Sequence, residues 1–422
     1  MALTRVYAGP DRARAKAAAK AQGGVPVALY NTGTERLPGL GKWLLKSTKQ
    51  LPRAPSVRAW DFLSFALSVF AADRFVLRNE AADGWTREID LTVELMEPAP
   101  WNAHGRALAD ALTFLTGDIW RVSFKDGGIG PPDVKQTNTD RDCVCLFSGG
   151  MDSLIGALDL VAKGRSPLLV SQASPKEGGV QAELATAIGL GAHRFEGRVR
   201  ERFKPPYEPS CRARSLLFIS YGALAASALV ADIGAPVTVY VPENGLIAIN
   251  PPLTYRRLGS LSTRTTHPYF IGSIQKVLDA VGIEAKILNP YGSKTKGEML
   301  KACGDDRIRK LAHLSYSCGK GKRLNKQCGR CVPCLIRRAA MDYAAVKDKT
   351  PYYAVNLAVE GSNDDVLAVR LATAALKQRD LERWTVASGP LPSDTAQRAL
   401  YVDVVRRGLN ELRSFVGTIA WL

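Results

Sequence analysis

Cys143-Val144-Cys145-Leu146-Phe147-Ser148-Gly149-Gly150-Met151-Asp152-Ser153 joins an apolar run of strand length to a segment of helical periodicity, Leu154 to Lys163, that stops at Gly164. A strand, a tight Ser-Gly-Gly turn and a helix start make an anion site. Small residues let backbone N–H groups close on a phosphate, and the helix dipole favours negative charge there. Ser148 and Ser153 add hydroxyl donors, and Asp152 is placed to hold Mg²⁺ against phosphate oxygens. No G-x-x-x-x-G-K-[ST] stretch occurs, so this is not a Walker A loop. An ordinary Ser-Gly-Gly loop is the plain alternative, and the strand–turn–helix context argues against it.

Working outward, strand patterns at Pro167–Ser171, Val237–Val241 and Ala285–Leu288 alternate with helical patterns at 214–231 and 272–281. Repeated βα units predict an α/β fold with a parallel sheet and right-handed crossovers. Ligands of such sheets bind beyond the carboxyl ends of the strands, where Ser148-Gly149-Gly150 and Pro242-Glu243-Asn244-Gly245 both fall. The polar, glycine-rich stretch from Asp126 to Arg141 reads as a linker. Before it, Ile89, Leu91, Val93 and Leu95 alternate with polar residues as in a half-buried strand. A helix ending at Gly117 and a strand over Ile119–Phe124 follow. Residues 1–140 are therefore expected to be an α+β accessory domain for binding or docking, 141–345 the nucleotide domain, and 346–422 a helical extension. In that extension Tyr401, Val405, Leu409, Leu412 and Val416 form a core-facing stripe.

The chain has 422 residues and a formal net charge of +17, unevenly spread. Residues 1–60 carry eleven Lys/Arg against two acids, and residues 301–340 carry the same ratio. Such density suits polyanionic ligands such as ATP, RNA, DNA or an acidic protein surface. No aromatic-rich RNA-binding signature accompanies it, so nucleic acid is a possible partner but not the favoured one. The longest apolar stretch, Leu216 to Ala231, is too short and too interrupted to span a bilayer and reads as a buried helix. No apolar segment follows the basic N-terminal residues as a secretory signal requires, and the cysteines are not spread as a disulfide framework. A cytoplasmic protein is expected.

Cys318, Cys328, Cys331 and Cys334 have the spacing C-x9-C-x2-C-x2-C. Four thiolates close a tetrahedral Zn²⁺ shell with no open position, which makes a structural site. Reduced core cysteines, an Fe–S cluster and a redox switch are the alternatives. Lys322, Lys326, Gly329 and Arg330 argue against an apolar setting. His313 is not expected as a further ligand, and Cys143, Cys145, Cys211 and Cys303 read as packing residues.

The Ser148–Ser153 stretch resembles the PP-loop of ATP pyrophosphatases, which cleave ATP between the α and β phosphates and leave AMP on the substrate. Ser317-Cys318 with Cys328-Gly329-Arg330-Cys331-Val332-Pro333-Cys334-Leu335-Ile336-Arg337 resembles the ending of 7-cyano-7-deazaguanine synthase, QueC. Arg212-Ala213-Arg214-Ser215 and Asn289–Met299 are similar to two further segments of that family, with Ser215 where asparagine is usual. The resemblance covers roughly residues 142–345. It implies an N-type ATP pyrophosphatase fold (a HUP/Rossmann-like parallel sheet), ATP, Mg²⁺ and Zn²⁺ as cofactors, and a deazaguanine-type substrate. The family adenylates 7-carboxy-7-deazaguanine, forms an amide with ammonia, and dehydrates it to the nitrile with a second ATP. By position, Ser148, Gly149, Gly150, Met151, Asp152 and Ser153 would bind the phosphates and Mg²⁺. Arg214 and Lys296 would neutralise charge developing on ATP.

The family's substrate-side aspartate-cysteine pair is absent. In its place stand Glu243 and Asn244, then a polar run with Arg264, Thr265 and His267, which are the expected substrate contacts. The N-terminal region and helical tail add to the usual length. This architecture resembles the QueC-like proteins of bacterial anti-phage systems, the Qat system in particular and more distantly a branch of CBASS. That resemblance implies defence-operon protein partners docking on the accessory domains. The activated group would then pass to an amine, such as a partner protein's N-terminus. Competing readings are the ordinary nitrile-forming synthase, a PP-loop tRNA-modifying enzyme, a non-catalytic zinc-stapled adaptor, and a nucleic-acid-binding module.

Overall fold

The computed structural model describes residues 3–32, 34, 38–172, 178–199, 206–254, 264–320 and 326–421. It contains two five-stranded sheets. The first has β1 (Leu3–Gly9), β2 (Val25–Asn31), β3 (Gly39–Gly41), β4 (Glu88–Leu95) and β5 (Ile119–Asp126) in the order β3-β2-β1-β4-β5. The second has β6 (Cys143–Leu146), β7 (Pro167–Gln172), β8 (Arg194–Gly197), β9 (Val237–Tyr240) and β10 (Ala285–Leu288) in the order β10-β9-β6-β7-β8. Every pairing in both is parallel.

The N-terminal region is therefore α/β, which corrects the α+β expectation. Strand β4 is central, between β1 and β5, so its polar positions do not all reach water. Glu94 is buried, accepting from the Tyr7 hydroxyl at 2.8 Å and pairing with Arg14 Nε at 2.8 Å.

Helix Val57–Phe75 explains how the two sheets join. It packs on β2, β3 and β4 and also on helix Arg214–Ser227, which covers β6, β7 and β9. Helix Gly105–Thr116, on β5, likewise meets helix Pro268–Ala280, on β10. One continuous apolar core results, with Trp60 stacked on Tyr30 at 4.7 Å in its interior. A helix enclosed on all sides has no polar face, so Val57–Phe75 carries no amphipathic signal.

The seam also holds a buried charge network. Arg87 pairs with Asp73 and Asp118, each at 2.6 Å, and Arg78 pairs with Asp118 at 2.8 Å. Asp73 Oδ2 accepts from the Ala213 N–H at 2.8 Å, and Glu208 Oε2 accepts from the Arg78 N–H at 3.1 Å. The network thus grips residues 208–213, the approach to Arg214. Asp118→Ala would leave two buried guanidinium groups without their shared carboxylate. A stability loss of about 3–5 kcal/mol is expected in urea denaturation, and an unchanged midpoint would contradict this reading of the seam.

Residues 127–142 form neither helix nor strand. Helices Asp364–Ala374, Leu381–Val386 and Thr395–Gly417 build a further core with helices Val332–Tyr343 and Gly245–Ile249. Val405, Leu409, Leu412 and Val416 are buried in it, and Tyr401 packs against it. Among the described residues no helix is long and apolar enough to cross a membrane.

Candidate functional site

β6 lies between β9 and β7, where the strand order reverses, so its carboxyl end opens on the crevice in which open α/β sheets bind ligands. The chain leaves β6 through Phe147 and turns at Gly149, whose φ of 80° is costly for any residue with a Cβ. It then enters helix Met151–Ala162 with Gly150 as N-cap. Ser148 Oγ accepts from the Gly150 N–H at 3.2 Å and lies 3.2 Å from Ser153 Oγ. Ser148 is exposed, Ser153 is buried, and Met151 packs into the core beneath the loop.

Asp152 is the centre of the site. The loop after β9 brings Asn244, whose backbone N–H and Nδ2 donate to Asp152 Oδ2 at 3.1 and 2.7 Å. Lys296 Nζ lies 2.6 Å from Oδ1. Burial alone would raise the Asp152 carboxyl, but the Lys296 charge and the surrounding hydrogen bonds outweigh it and hold it at about 2. Glu243 beside it goes the other way: burial and the Asp152 charge push it well above the ordinary carboxylate range. The sequence offers Asp152 as a Mg²⁺ ligand. In this arrangement its oxygens serve Lys296 and Asn244, and the carboxylate ties three segments together beneath the loop.

Above them is a cavity of about 610 Å³, within the size range of small-ligand sites. Ser148, Ser153, Glu243 and Arg214 line it, with Arg214 Nε donating to Gln172 Oε1 at 3.2 Å. Gln181, also lining it, donates from Nε2 to Ser148 O at 3.1 Å. Thr265 and Thr266 reach the cavity, but their neighbours Arg264 and His267 do not line it. Arg264 donates to Phe114 O at 2.9 Å and lies over the Phe114 ring. His267 caps helix Pro268–Ala280, with Nδ1 accepting from the Tyr269 N–H at 3.2 Å. Burial, helped by Arg264, lowers its imidazole to about 4, so it is neutral near pH 7. Of the expected substrate residues, Glu243 and Thr265 face the cavity. Asn244 supports it from below, and Arg264 and His267 fasten the loop to the N-terminal region. Ser262 and Thr263 of that polar run lie outside the described residues, as does Lys322 near the cysteines.

Cys318, Cys328, Cys331 and Cys334 are buried together with their Sγ atoms all within 4.8 Å of one another. The pairs Cys318–Cys331 and Cys328–Cys334 are at 3.8 and 3.9 Å. Four sulfurs around Zn²⁺ at about 2.3 Å sit about 3.8 Å apart, so the donor set and its size fit zinc. The N–H groups of Cys328 and Cys331 donate to Cys318 and Cys328 Sγ, each at 3.2 Å, as suits thiolates. The cysteines are more enclosed than the charged residues around them suggest. Cys143 and Cys145 pack in the core.

The cluster is also a wall of the cavity, through Cys318 and Pro333. Between it and the Ser148–Gly150 turn, the Tyr316 N–H donates to Gly149 O at 2.8 Å. Arg337, fully buried, donates to Ser315 Oγ at 2.8 Å and Thr350 Oγ1 at 3.0 Å and so pins this connection. Gln172, Gln181 and Tyr316 carry no signal in the sequence, because only the fold brings them to the loop.

Residues 265–345 match the family described as "Queuosine biosynthesis protein QueC". That segment of the chain is QueC-like. It holds Lys296 and all four cysteines, while Ser148–Ser153 lies outside it. Two curated relatives are similar. The 7-cyano-7-deazaguanine synthase of Sulfolobus acidocaldarius is 26% identical over 253 residues, covering 53% of this chain and 50% of that protein. The 7-cyano-7-deazaguanine synthase of Saccharolobus solfataricus is 26% identical over 233 residues, covering 49% and 46%. The chain thus spans about half the length of the curated relatives it matches. No solved structure matches.

Proposed function

We propose that the protein is an AMP-forming enzyme that activates the carboxylate of a 7-deazaguanine and passes the acyl group to an amine. The observation that carries this reading is the convergence of the Ser148–Ser153 turn, Asn244 and Lys296 on Asp152 at the reversal point of the sheet. The similarity to 7-cyano-7-deazaguanine synthases supplies the substrate class.

ATP would lie in the cavity with its phosphates at Ser148, Ser153 and the helix N–H groups, and Mg²⁺ would accompany the phosphates as counter-ion. The substrate carboxylate oxygen attacks the α-phosphorus, and the bond to the β-phosphate oxygen breaks. Pyrophosphate leaves with both electrons of that bond, and Lys296 and Arg214 offset its growing charge. An amine lone pair then attacks the acyl carbon, AMP departs with the carboxylate oxygen, and the amine gives up a proton. With ammonia the product is the amide, which a second ATP converts to the nitrile. Zinc, held by the four cysteines, would supply rigidity to the cavity wall.

The resemblance to QueC-like proteins of anti-phage systems supports a partner protein's N-terminus as the acceptor. The assay is protein with ATP, Mg²⁺ and 7-carboxy-7-deazaguanine, plus either ammonium or the proteins encoded beside it. AMP and pyrophosphate are expected, with a deazaguanine-sized mass added to a neighbour protein. AMP with only a small-molecule amide or nitrile would return the acceptor to ammonia. ADP, or no cleavage under any pairing, would reject the proposed reaction.

A further inference from the structure

We infer that Glu411, on the C-terminal helix Thr395–Gly417, is a positioning residue for Lys296, which makes the C-terminal extension part of the catalytic apparatus. The inference rests on the proposed role of Lys296 and assigns it a support outside the QueC-like segment. Glu411 is buried and reaches the residues on either side of Lys296. Thr295 Oγ1 donates to Glu411 Oε1, and the Gly297 N–H donates to Oε2 at 3.3 Å.

Thr295 is itself the N-cap of helix Lys296–Lys301. Its hydroxyl accepts from the Glu298 N–H at 3.1 Å, and Glu298 Oε2 accepts from the Thr295 N–H at 2.9 Å. One helical turn before Glu411, Arg407 pairs with Glu298 and donates to Ser293 O at 2.8 Å. The C-terminal helix thereby grips the segment 293–298 at successive points along one face.

Close approach is built in. A Cβ at Gly297 would lie 2.7 Å from Glu411 Oε1, and one at Gly245 would lie 2.7 Å from Val404 of the same C-terminal helix. Gly245 directly follows Asn244, so one helix backs both segments that meet Asp152. A displacement of about 1 Å in such a constellation costs about 100-fold in rate.

Glu411 also introduces a titration. Burial lifts its carboxyl to about 7; the bonds from Thr295 and Gly297 and the Arg407 charge pull it down, while Glu298 pushes it up. As pH falls through about 7 the group takes a proton and one of its oxygens becomes a donor, loosening its hold on Thr295 or Gly297. Activity should therefore fall on the acid side of about 7.

The experiment is Glu411→Gln, which keeps the shape and cannot titrate, with kcat and KM for ATP measured in AMP formation across pH. A kcat about 10-fold below wild type at alkaline pH, a KM for ATP within about twofold, and loss of the acid limb near pH 7 are expected. A kcat and a pH profile equal to wild type would overturn the inference. Lys296→Met, run in parallel, separates the two levels: if it also equals wild type, the reading of the site has failed rather than its support. Should Glu411→Gln not fold, Thr295→Val removes the same contact from the other side and should show the same kcat loss with KM retained. Its equality with wild type would be just as contradictory.

Discussion

Lys296→Met is expected to lower AMP formation about 100- to 1000-fold, with kcat affected more than KM for ATP. The ammonium is buried, 2.6 Å from Asp152, behind the residues that line the cavity, where water does not screen charge well. Methionine keeps the volume but offers nothing to the leaving pyrophosphate. It also leaves the Asp152 carboxylate buried beside Glu243 without its cation. In the wild type that carboxylate is held at about 2, below its unfolded value. Its contribution to stability is therefore present at neutral pH and is lost progressively as pH falls from the ordinary value of 3.8 through about 2. In the variant the same carboxyl rises, so stability should be lost at neutral pH, where the carboxylate is buried without its cation, and partly regained as acid protonates it. A thermal-denaturation series against pH would show this as a lower midpoint at neutral pH and a shallower acid limb. A variant with unchanged rate and unchanged acid limb would mean that the ion pair does nothing.

The second large effect concerns the cysteine cluster. Purified protein is expected to contain one zinc per chain by elemental analysis, and Cys334→Ser is expected to lose it. Because folding and metal binding share one free energy, worth about 10–16 kcal/mol in isolated zinc-finger peptides, the segment around residues 312–345 should become open to proteases. The consequence should reach the nucleotide: Tyr316 would no longer hold Gly149, and a cavity wall would move. ATP affinity should drop about 10-fold or more, since a loop so released must be reordered at each binding event. Iron with a visible charge-transfer band would replace zinc by a cluster. A metal-free protein with full ATP affinity would contradict the structural role altogether.

The Ser148–Ser153 turn and the cysteine cluster were legible because each is nearly contiguous. Ser148–Ser153 needs only one strand, one turn and one helix start to be meaningful, and the Cys328–Cys334 spacing encodes its own geometry. Single residues such as Asn244 and Lys296 were visible as candidates, but their meeting on Asp152 was not, since it depends on which strands neighbour β6. The N-terminal region misled for a physical reason. Strands β1 and β4 are buried on both faces near their carboxyl ends, as Glu94 shows, and helix Val57–Phe75 has no polar side to betray its period. Arg264 and His267 suggested a pocket by their chemistry, yet Phe114 of the N-terminal region takes them up. Glu411 lies 116 residues from Thr295, and no local pattern links them.

The central claim is that a substrate carboxylate attacks the α-phosphate of ATP. Its most direct test uses 7-carboxy-7-deazaguanine labelled with oxygen-18 in the carboxylate, with mass analysis of the nucleotide released. Transfer to an amine through an acyl-adenylate must leave a labelled oxygen in AMP, and that is the result expected. Unlabelled AMP, or ADP in its place, would contradict it.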